Sequence, residues 1–217
     1  MRMIKQSWSW EWKPDPVEAL ARIERATRTC YKSEEKMVDV TPEQSEEFLA
    51  GVMSRGHLSV IEHSDASIRI ITNRGVTHEL VRHRLAAYSQ ESTRYCNYSK
   101  AKFGNELTYI EPVWWKDDAS EAEKRFVYGL HRDEKDYFFL LQQGWSPQQA
   151  REKLPNALKT EIVMSCNFRE WNHVFNLRCS KGAHPQIRAL MLDVLKEFAQ
   201  LYTPIFDEVA QKYGVAE

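Results

Sequence analysis

The sequence has few glycines, and none of them forms a phosphate-binding loop. Only eight glycines occur in 217 residues, and neither G-x-G-x-x-G nor G-x-x-x-x-G-K-[ST] is present. A dinucleotide, if bound, is therefore not held in the Rossmann or P-loop manner. The four cysteines contain no C-x-x-C pair, which indicates neither a zinc site nor a disulfide framework. They are Cys30, Cys96, Cys166 and Cys179.

Long apolar runs and a large net charge are missing as well. No apolar stretch approaches the roughly 18 residues of a transmembrane helix, and no signal-peptide core follows the first five residues. The formal net charge is only -1, while 42% of the residues are hydrophobic. We expect a cytoplasmic globular chain, neither disordered nor fibrous, that forms one domain over residues 1–217.

A metal centre is not indicated by the histidines. His57, Glu62 and His63 resemble a set of ligands, but they lack the H-E-x-x-H spacing that places two imidazoles on one helical face. The alternative is that both histidines cap or hydrogen-bond buried loops. We expect no bound metal.

The apolar periodicity predicts alternating helices and strands, an α/β fold that the pattern alone does not distinguish from α+β. Trp8, Trp10 and Trp12 alternate as in an edge strand with one aromatic face, for which we expect a structural role. The apolar stripe over 187–202 is long enough to suggest subunit packing in addition to core. The other expected strands span 66–72 and 159–165; the expected helices span 16–30, 41–56, 76–85, 118–143, 146–151 and 167–178, with another that begins at His184 and Pro185.

The most informative segment is Arg82-His83-Arg84-Leu85-Ala86-Ala87-Tyr88-Ser89-Gln90-Glu91-Ser92-Thr93-Arg94-Tyr95. From 82 to 102, five Lys or Arg residues face one acid, Glu91, which gives a local charge of +4. Because arginine cannot lose its charge, such a confined basic region indicates a small anionic ligand, with phosphate the first candidate. We expect the segment to begin on a helix and to place Ser92 and Arg94 on a loop.

These residues resemble a known family. Arg82-His83-Arg84, seven further residues and Ser92 match the R-H-R-x7-S signature of flavin-dependent thymidylate synthases. The segment from Gly56 to His63 resembles the family's histidine-rich segment. Downstream, Arg151, Asn167, Arg169, His173 and Arg178 fall where the family carries binding residues.

The resemblance implies an enzyme that converts dUMP to dTMP. It would take a one-carbon unit from 5,10-methylenetetrahydrofolate and reducing equivalents from NADPH through bound FAD. The implied fold is a mixed sheet flanked by helices with a helical bundle, assembled as a homotetramer whose active sites are shared between subunits. In agreement, no cysteine stands in the Pro-Cys-His context of the cysteine-dependent thymidylate synthases.

The resemblance also implies a role for individual residues. Arg178 would meet the uracil carbonyl edge as the catalytic residue. Ser92 would bind nucleotide, since no base-and-orienter pair marks it as a nucleophile. Glu79 stands where the family often carries an amide, and an acid there would repel phosphate unless it is paired with Arg82 or protonated. The implied dUMP contacts are Glu79, Arg82, Gln90, Glu91, Ser92, Thr93, Arg94, Arg151 and Arg178; the implied FAD contacts are Ser59, Arg82, His83, Arg84, Gln90, Asn167, Arg169 and His173.

Two alternatives stay open at this point. The first is a non-catalytic protein that binds single-stranded nucleic acid, with Tyr88, Tyr95 and Tyr98 as stacking platforms. A pI near 6.7 argues against it, and we expect neither a nucleic-acid nor a membrane partner. The second is a flavoprotein that modifies dUMP differently, for example by hydroxymethylation.

Overall fold

The computed structural model describes residues 1–37, 40–116 and 120–216. Its helices are α1 (Pro16–Tyr31), α2 (Pro42–Ser54), α3 (Arg74–Leu80), α4 (Glu121–Gln142), α5 (Pro147–Ala150), α6 (Phe168–Arg178), α7 (Pro185–Leu201) and α8 (Asp207–Tyr213). Its strands are β1 (Arg2–Ile4), β2 (Ser7–Trp12), β3 (Asp65–Asn73), β4 (Ala87–Gln90), β5 (Thr108–Ile110) and β6 (Lys159–Asn167). Within this described part of the chain, no helix is both long and apolar enough to cross a membrane.

The strands form two sheets. The larger has the order β2-β3-β6-β4, so the tryptophan strand β2 lies at an edge, as its alternation predicted. In the smaller sheet β1 pairs in parallel with β5, with Arg2 opposite Thr108 and Ile4 opposite Ile110. Helices flank these sheets, and the predicted α/β class is confirmed.

The chain divides into two compact units. Unit 1 comprises residues 1–7, 69–82 and 88–163, and unit 2 comprises 8–68, 83–87 and the residues from 164 onward. The core of unit 1 is rich in tyrosine, with the Tyr109 hydroxyl donating to the Leu130 carbonyl at 3.2 Å. This bond gives the buried Tyr109 hydroxyl a hydrogen-bond partner in place of water. One buried cluster of unit 1 consists of Tyr98, Leu107, Tyr109, Leu130, Tyr137, Ala150 and Leu158.

Unit 2 has an aromatic core centred on Phe198 of α7. This ring is fully buried and has its centroid 4.7 Å from that of Trp10, 5.1 Å from that of Trp171 and 5.2 Å from that of Phe175. The Trp8 indole N–H donates to Asp193 at 2.8 Å, which also fixes β2 to α7. The predicted structural role of the tryptophan strand is confirmed.

Most helix starts follow the local signals in the sequence. Thr41 and Gln44 form a capping box before Pro42, and Asn167 accepts the Glu170 backbone N–H at 2.9 Å to begin α6. Residue 118, where the long helix was expected to begin, lies outside the described residues. A capping box of Ser120 and Glu123 begins α4 instead.

The helix predicted over 76–85 is shorter than expected. It ends at Leu80, where the Tyr88 hydroxyl donates to the Leu80 carbonyl at 2.6 Å. The apolar stripe is not buried beyond this point, because Val81 and Leu85 are 39% and 80% exposed. The prediction that the basic segment begins on a helix is therefore wrong. Ser89 and Gln90 belong to β4, which precedes the loop that carries Ser92 and Arg94.

The apolar stripe of α7 lies in the core, so its length gives no reason of its own to expect subunit packing. Ile187, Leu190, Val194 and Phe198 are already buried in the single chain.

We predict that Phe198→Ala lowers the free energy of unfolding by about 3–5 kcal/mol, because it removes a fully buried ring and leaves a cavity among other aromatic rings. Urea unfolding followed by tryptophan fluorescence measures the change. Phe139→Ala is the matched control, since Phe139 is 58% exposed and should change stability by no more than about 0.5 kcal/mol. Equal effects of the two substitutions would contradict this description of the core.

Candidate active site

The first arginine of the basic segment follows the end of α3 in unit 1. The Arg82 backbone N–H donates to the Glu79 carbonyl at 3.3 Å, and the Arg82 side chain is exposed. Glu79 itself is half-buried on α3. The Arg82 guanidinium is thus presented to solvent one turn after the Glu79 carboxyl group.

Gln90 and Glu91 are held by side chains that were not among the predicted dUMP or FAD contacts. The Gln90 amide nitrogen donates to the hydroxyls of Thr77, at 2.9 Å, and Thr160, at 3.1 Å. One Glu91 carboxylate oxygen accepts from the Tyr98 hydroxyl at 2.8 Å, and the other accepts from Lys159 at 2.9 Å. These bonds fix the strand end from which the following loop departs.

That loop carries the predicted phosphate ligands, and it lies outside regular secondary structure as expected. The Ser92 hydroxyl accepts the Arg94 backbone N–H at 3.3 Å, and Arg94 Nε donates to Gln148 of α5 at 3.1 Å. Arg151 lies three residues after Gln148, in a 3₁₀ turn that directly follows α5 and not on the helix expected to carry it. Both guanidinium groups are exposed, whereas Thr93 is buried. The segment after α5 thus carries a second exposed cation three residues from Gln148, the partner of Arg94.

Gln90 and Glu91 also line a cavity of about 850 Å³ within unit 1. Arg69 pairs with Glu161 in its wall, and Lys159 lies 3.6 Å from the same carboxylate. Both neighbours lower the pKa of Glu161, the bonded Arg69 more than Lys159. The basic residues that line the cavity are Arg2, Arg69, Lys102 and Lys159.

In unit 2 the middle residue of the motif meets the predicted catalytic residue. The Nε–H of Arg178, the last residue of α6, donates to His83 Nε2 at 2.9 Å. The other imidazole nitrogen, Nδ1, lies 3.5 Å from a carboxylate oxygen of Glu170. Only 4% of His83 and 6% of Glu170 is exposed. Glu170 was missed by the sequence reasoning, because an acid in a first helical turn is the ordinary complement of the helix dipole.

Electrostatics keep this imidazole neutral. Burial, followed by the positive charge of Arg178, lowers the pKa of His83 to about 4. Burial raises the pKa of Glu170. At neutral pH His83 therefore carries a single proton. Because Nε2 accepts a hydrogen bond, that proton lies on Nδ1 and points to Glu170.

Most of the remaining predicted flavin residues of unit 2 lie on α6, at its N-cap or on the short 3₁₀ helix that packs against it. Arg169 pairs with Glu62, and the His173 ring centroid lies 5.7 Å from that of His83. Ser59 is exposed on the short 3₁₀ helix Leu58–His63, which packs against α6. Asn167 uses its side-chain oxygen as the helix cap, so its amide nitrogen takes no part in the cap. Arg84 is exposed two residues after Arg82.

This donor set fits an anionic dinucleotide better than a metal ion. Ser59, Arg84, Asn167, Arg169 and His173 offer donors and positive charge of the kind that binds pyrophosphate and carbonyl groups. Among the residues that the structure describes, His83, Glu170 and His173 alone bring three possible ligand atoms within 4.8 Å of one another. A metal ion there would have to displace the Arg178 bond and face its charge, so we assign none.

Two other chemistries gain no support from the structure. Cys166 and Cys179 are buried, which raises the pKa of both thiols, that of Cys179 to about 12. Of the three tyrosines proposed to stack on nucleic acid, Tyr98 is buried against Glu91 and Tyr88 is bonded to Leu80. Only Tyr95 of these three is widely exposed, at 77%.

Comparison with known proteins gives concordant matches. A family model described as "Thymidylate synthase complementing protein" matches residues 15–203. A flavin-dependent thymidylate synthase of Geobacter sulfurreducens is 36% identical over 190 residues, covering 84% of this chain and 77% of the relative. One from Mycobacteroides abscessus is 34% identical over 209 residues, covering 91% and 82%.

A solved structure shares the fold. It is the UMP/dUMP methylase PolB from Streptomyces cacaoi bound with 5-Br dUMP, which superposes with a TM-score of 0.75. The match covers 100% of this chain and 99% of that chain at 18% sequence identity. The similarity therefore extends over the whole architecture described above.

We predict that His83 makes folding stability depend on pH. Its pKa falls from 6.5 in the unfolded chain to about 4 in the fold. The free energy of unfolding is therefore highest above about pH 6.5 and decreases as the pH falls toward 4, because the unfolded chain then binds a proton that the folded chain does not. Between about pH 7 and pH 5 the loss should be about 2 kcal/mol. Urea unfolding at both pH values should show it in the wild type and not in His83→Gln. An unchanged pH dependence in the variant would show that His83 does not titrate this way.

Proposed function

The chain belongs to the flavin-dependent thymidylate synthase family, and on this premise we propose that it is the methyltransferase that converts dUMP to dTMP. In this proposal 5,10-methylenetetrahydrofolate supplies the one-carbon unit, and NADPH supplies reducing equivalents through bound FAD. The observation that carries the proposal is the family match, since residues 15–203 include every residue predicted to contact nucleotide or flavin.

We propose that Arg94 and Arg151 bind the phosphate of dUMP. The bond from Arg94 to Gln148 orients one guanidinium, and the turn after α5 supplies the other. Two arginines can form charge-assisted and partly bidentate bonds to a phosphate. Ser92 and Thr93 would contribute hydroxyl or backbone contacts from the same loop. The Glu91 carboxylate, already bonded to Tyr98 and Lys159, would hold the loop in place.

Arg178 is proposed to act on the uracil ring. A fixed cation at the carbonyl edge stabilises negative charge on the ring and favours its N3-deprotonated or enolate-like form. This form is more nucleophilic and can accept the one-carbon unit. Because His83 is neutral, it orients the guanidinium without cancelling the charge that the reaction needs.

FAD, when bound, supplies transfer of the one-carbon unit and of hydride. The residues of this chain that would hold it are Ser59, Arg82, His83, Arg84, Gln90, Asn167, Arg169 and His173. Positive charge among them favours an anionic reduced cofactor over a neutral one. On the family resemblance we further propose a homotetramer whose active sites are shared between subunits.

The first prediction of this proposal separates phosphate binding from chemistry. Arg94→Ala should weaken dUMP binding by about 2–5 kcal/mol, because a charged phosphate loses its partner, and should change deoxyuridine binding far less. Isothermal titration calorimetry with both ligands measures the difference. Arg132→Ala, at another exposed arginine, should leave both affinities unchanged. Equal losses for dUMP and deoxyuridine would place Arg94 away from the phosphate.

The second prediction tests the reaction and the assignment of Arg178. In single-turnover oxidation of reduced enzyme with dUMP and methylenetetrahydrofolate, the wild type should form dTMP. Arg178→Lys should lose rate more than dUMP affinity, since an ammonium cannot reproduce the planar fork of donors. Ser92→Ala should keep measurable dTMP formation and lose about 0.5–1.5 kcal/mol of binding.

Two outcomes would contradict the proposal. Absence of dTMP from the flavin-loaded wild type would refute the proposed reaction. Complete loss of chemistry in Ser92→Ala, with near-normal chemistry in Arg178→Lys, would instead make the serine the nucleophile.

A further inference from the structure

We propose that His83 and Glu170 are positioning residues, which together fix the plane of the Arg178 guanidinium for its contact with uracil. The inference rests on the proposed function, because it concerns how Arg178 is prepared for that reaction. It assigns a role to the central histidine of the arginine motif and to an acid that no sequence signal had marked.

The directions of the hydrogen bonds support this role. Arg178 Nε can only donate, so His83 Nε2 must accept and carries no proton. The imidazole proton is then on Nδ1, which faces a Glu170 oxygen at 3.5 Å. A Glu170 oxygen can accept a hydrogen bond from this N–H. A residue that could only donate would not favour a proton on Nδ1. The carboxylate therefore selects the tautomer that His83 needs in order to hold Arg178.

The arrangement is also rigid. His83 and Glu170 are buried, and Glu170 is fixed at the start of α6 by the Asn167 cap. Arg178 ends the same helix eight residues later, about 12 Å along its axis. The His83 imidazole contacts Arg178 through Nε2 and Glu170 through Nδ1, so it links the two ends of the helix. The Arg178 stem is thereby held along α6 and cannot sample other rotamers without breaking the bond.

The bond through Nε has a particular consequence for chemistry. It fixes the guanidinium plane through an acceptor that carries no charge of its own. A carboxylate in place of His83 would orient Arg178 equally well but would neutralise it. A neutral acceptor such as His83 does not itself cancel the positive charge of Arg178.

The test compares two substitutions at His83. The amide oxygen of His83→Gln can accept from Arg178, whereas the side chain of His83→Leu cannot. We expect His83→Leu to lower kcat by about 100-fold, as displacement of a reacting group by about 1 Å does, with dUMP affinity changed less than about threefold. His83→Gln should recover at least about tenfold of that loss. His131→Leu, at an exposed histidine of α4, is the matched control and should retain the wild-type rate.

Glu170 provides a second pair that does not alter the imidazole. Glu170→Gln keeps an oxygen that can accept from Nδ1, and Glu170→Leu removes it. We expect the leucine variant to lose kcat as His83→Leu does and the glutamine variant to lose less than about fivefold. This pair keeps the proposal testable if a His83 variant does not fold.

A binding measurement without flavin or folate isolates the effect on uracil. The N3–H of 5-fluoro-dUMP is acidic enough for its ionisation to be followed by ultraviolet difference spectra of the bound nucleotide. A correctly oriented Arg178 lowers the N3 pKa of the bound ligand. His83→Leu and Glu170→Leu should raise it toward the value of the free nucleotide, while the two glutamine variants should stay near the wild type.

The outcomes separate this inference from the proposed function. Wild-type kcat and wild-type N3 ionisation in both leucine variants would overturn the positioning role even if dTMP is formed. Equal impairment of the leucine and glutamine variants would overturn it as well, since it would mark a packing role. A wild type that forms no dTMP but lowers the N3 pKa, with the loss confined to the leucine variants, would refute the reaction and support the positioning role.

Discussion

The hydrogen bond from Arg178 Nε to His83 Nε2 is the interaction on which the rest of the site depends. It joins residues 95 positions apart in the sequence and orients a permanent cation by means of a neutral acceptor. Burial makes the neutral state favourable, and Glu170 selects the tautomer. The helix α6 supplies both Glu170 and Arg178, so the Asn167 cap that begins this helix is also part of the support of the site.

The residues of unit 1 that we propose to bind nucleotide are likewise held by neighbouring side chains. The side chains of Gln90 and Glu91 are engaged by Thr77, Thr160, Tyr98 and Lys159, which makes the end of β4 a fixed departure point for the loop. Arg94 is oriented by Gln148 and remains exposed. Anchoring neutral and acidic side chains while presenting arginines to solvent is an arrangement suited to a small phosphate ligand.

Where local signals decide the structure, the sequence was sufficient. The caps at Thr41 and Asn167 and the alternation over 66–72 and 159–165 predicted elements that the structure contains. The end of α3 at Leu80 was not predictable, because it depends on the Tyr88 hydroxyl and on the exposure of Val81 and Leu85. Glu170 was invisible for a related reason, since its partner His83 approaches from a distant part of the chain.

The most direct test of this account is the protonation state of His83, measured by ¹⁵N NMR of histidine-labelled protein and assigned by comparison with His83→Gln. At neutral pH and down to about pH 5, the account predicts a pyrrole-type shift for Nδ1 and a pyridine-type shift for Nε2. Two pyrrole-type nitrogens, which denote an imidazolium, or the reverse tautomer with the proton on Nε2, would contradict the claim that His83 accepts a hydrogen bond from Arg178.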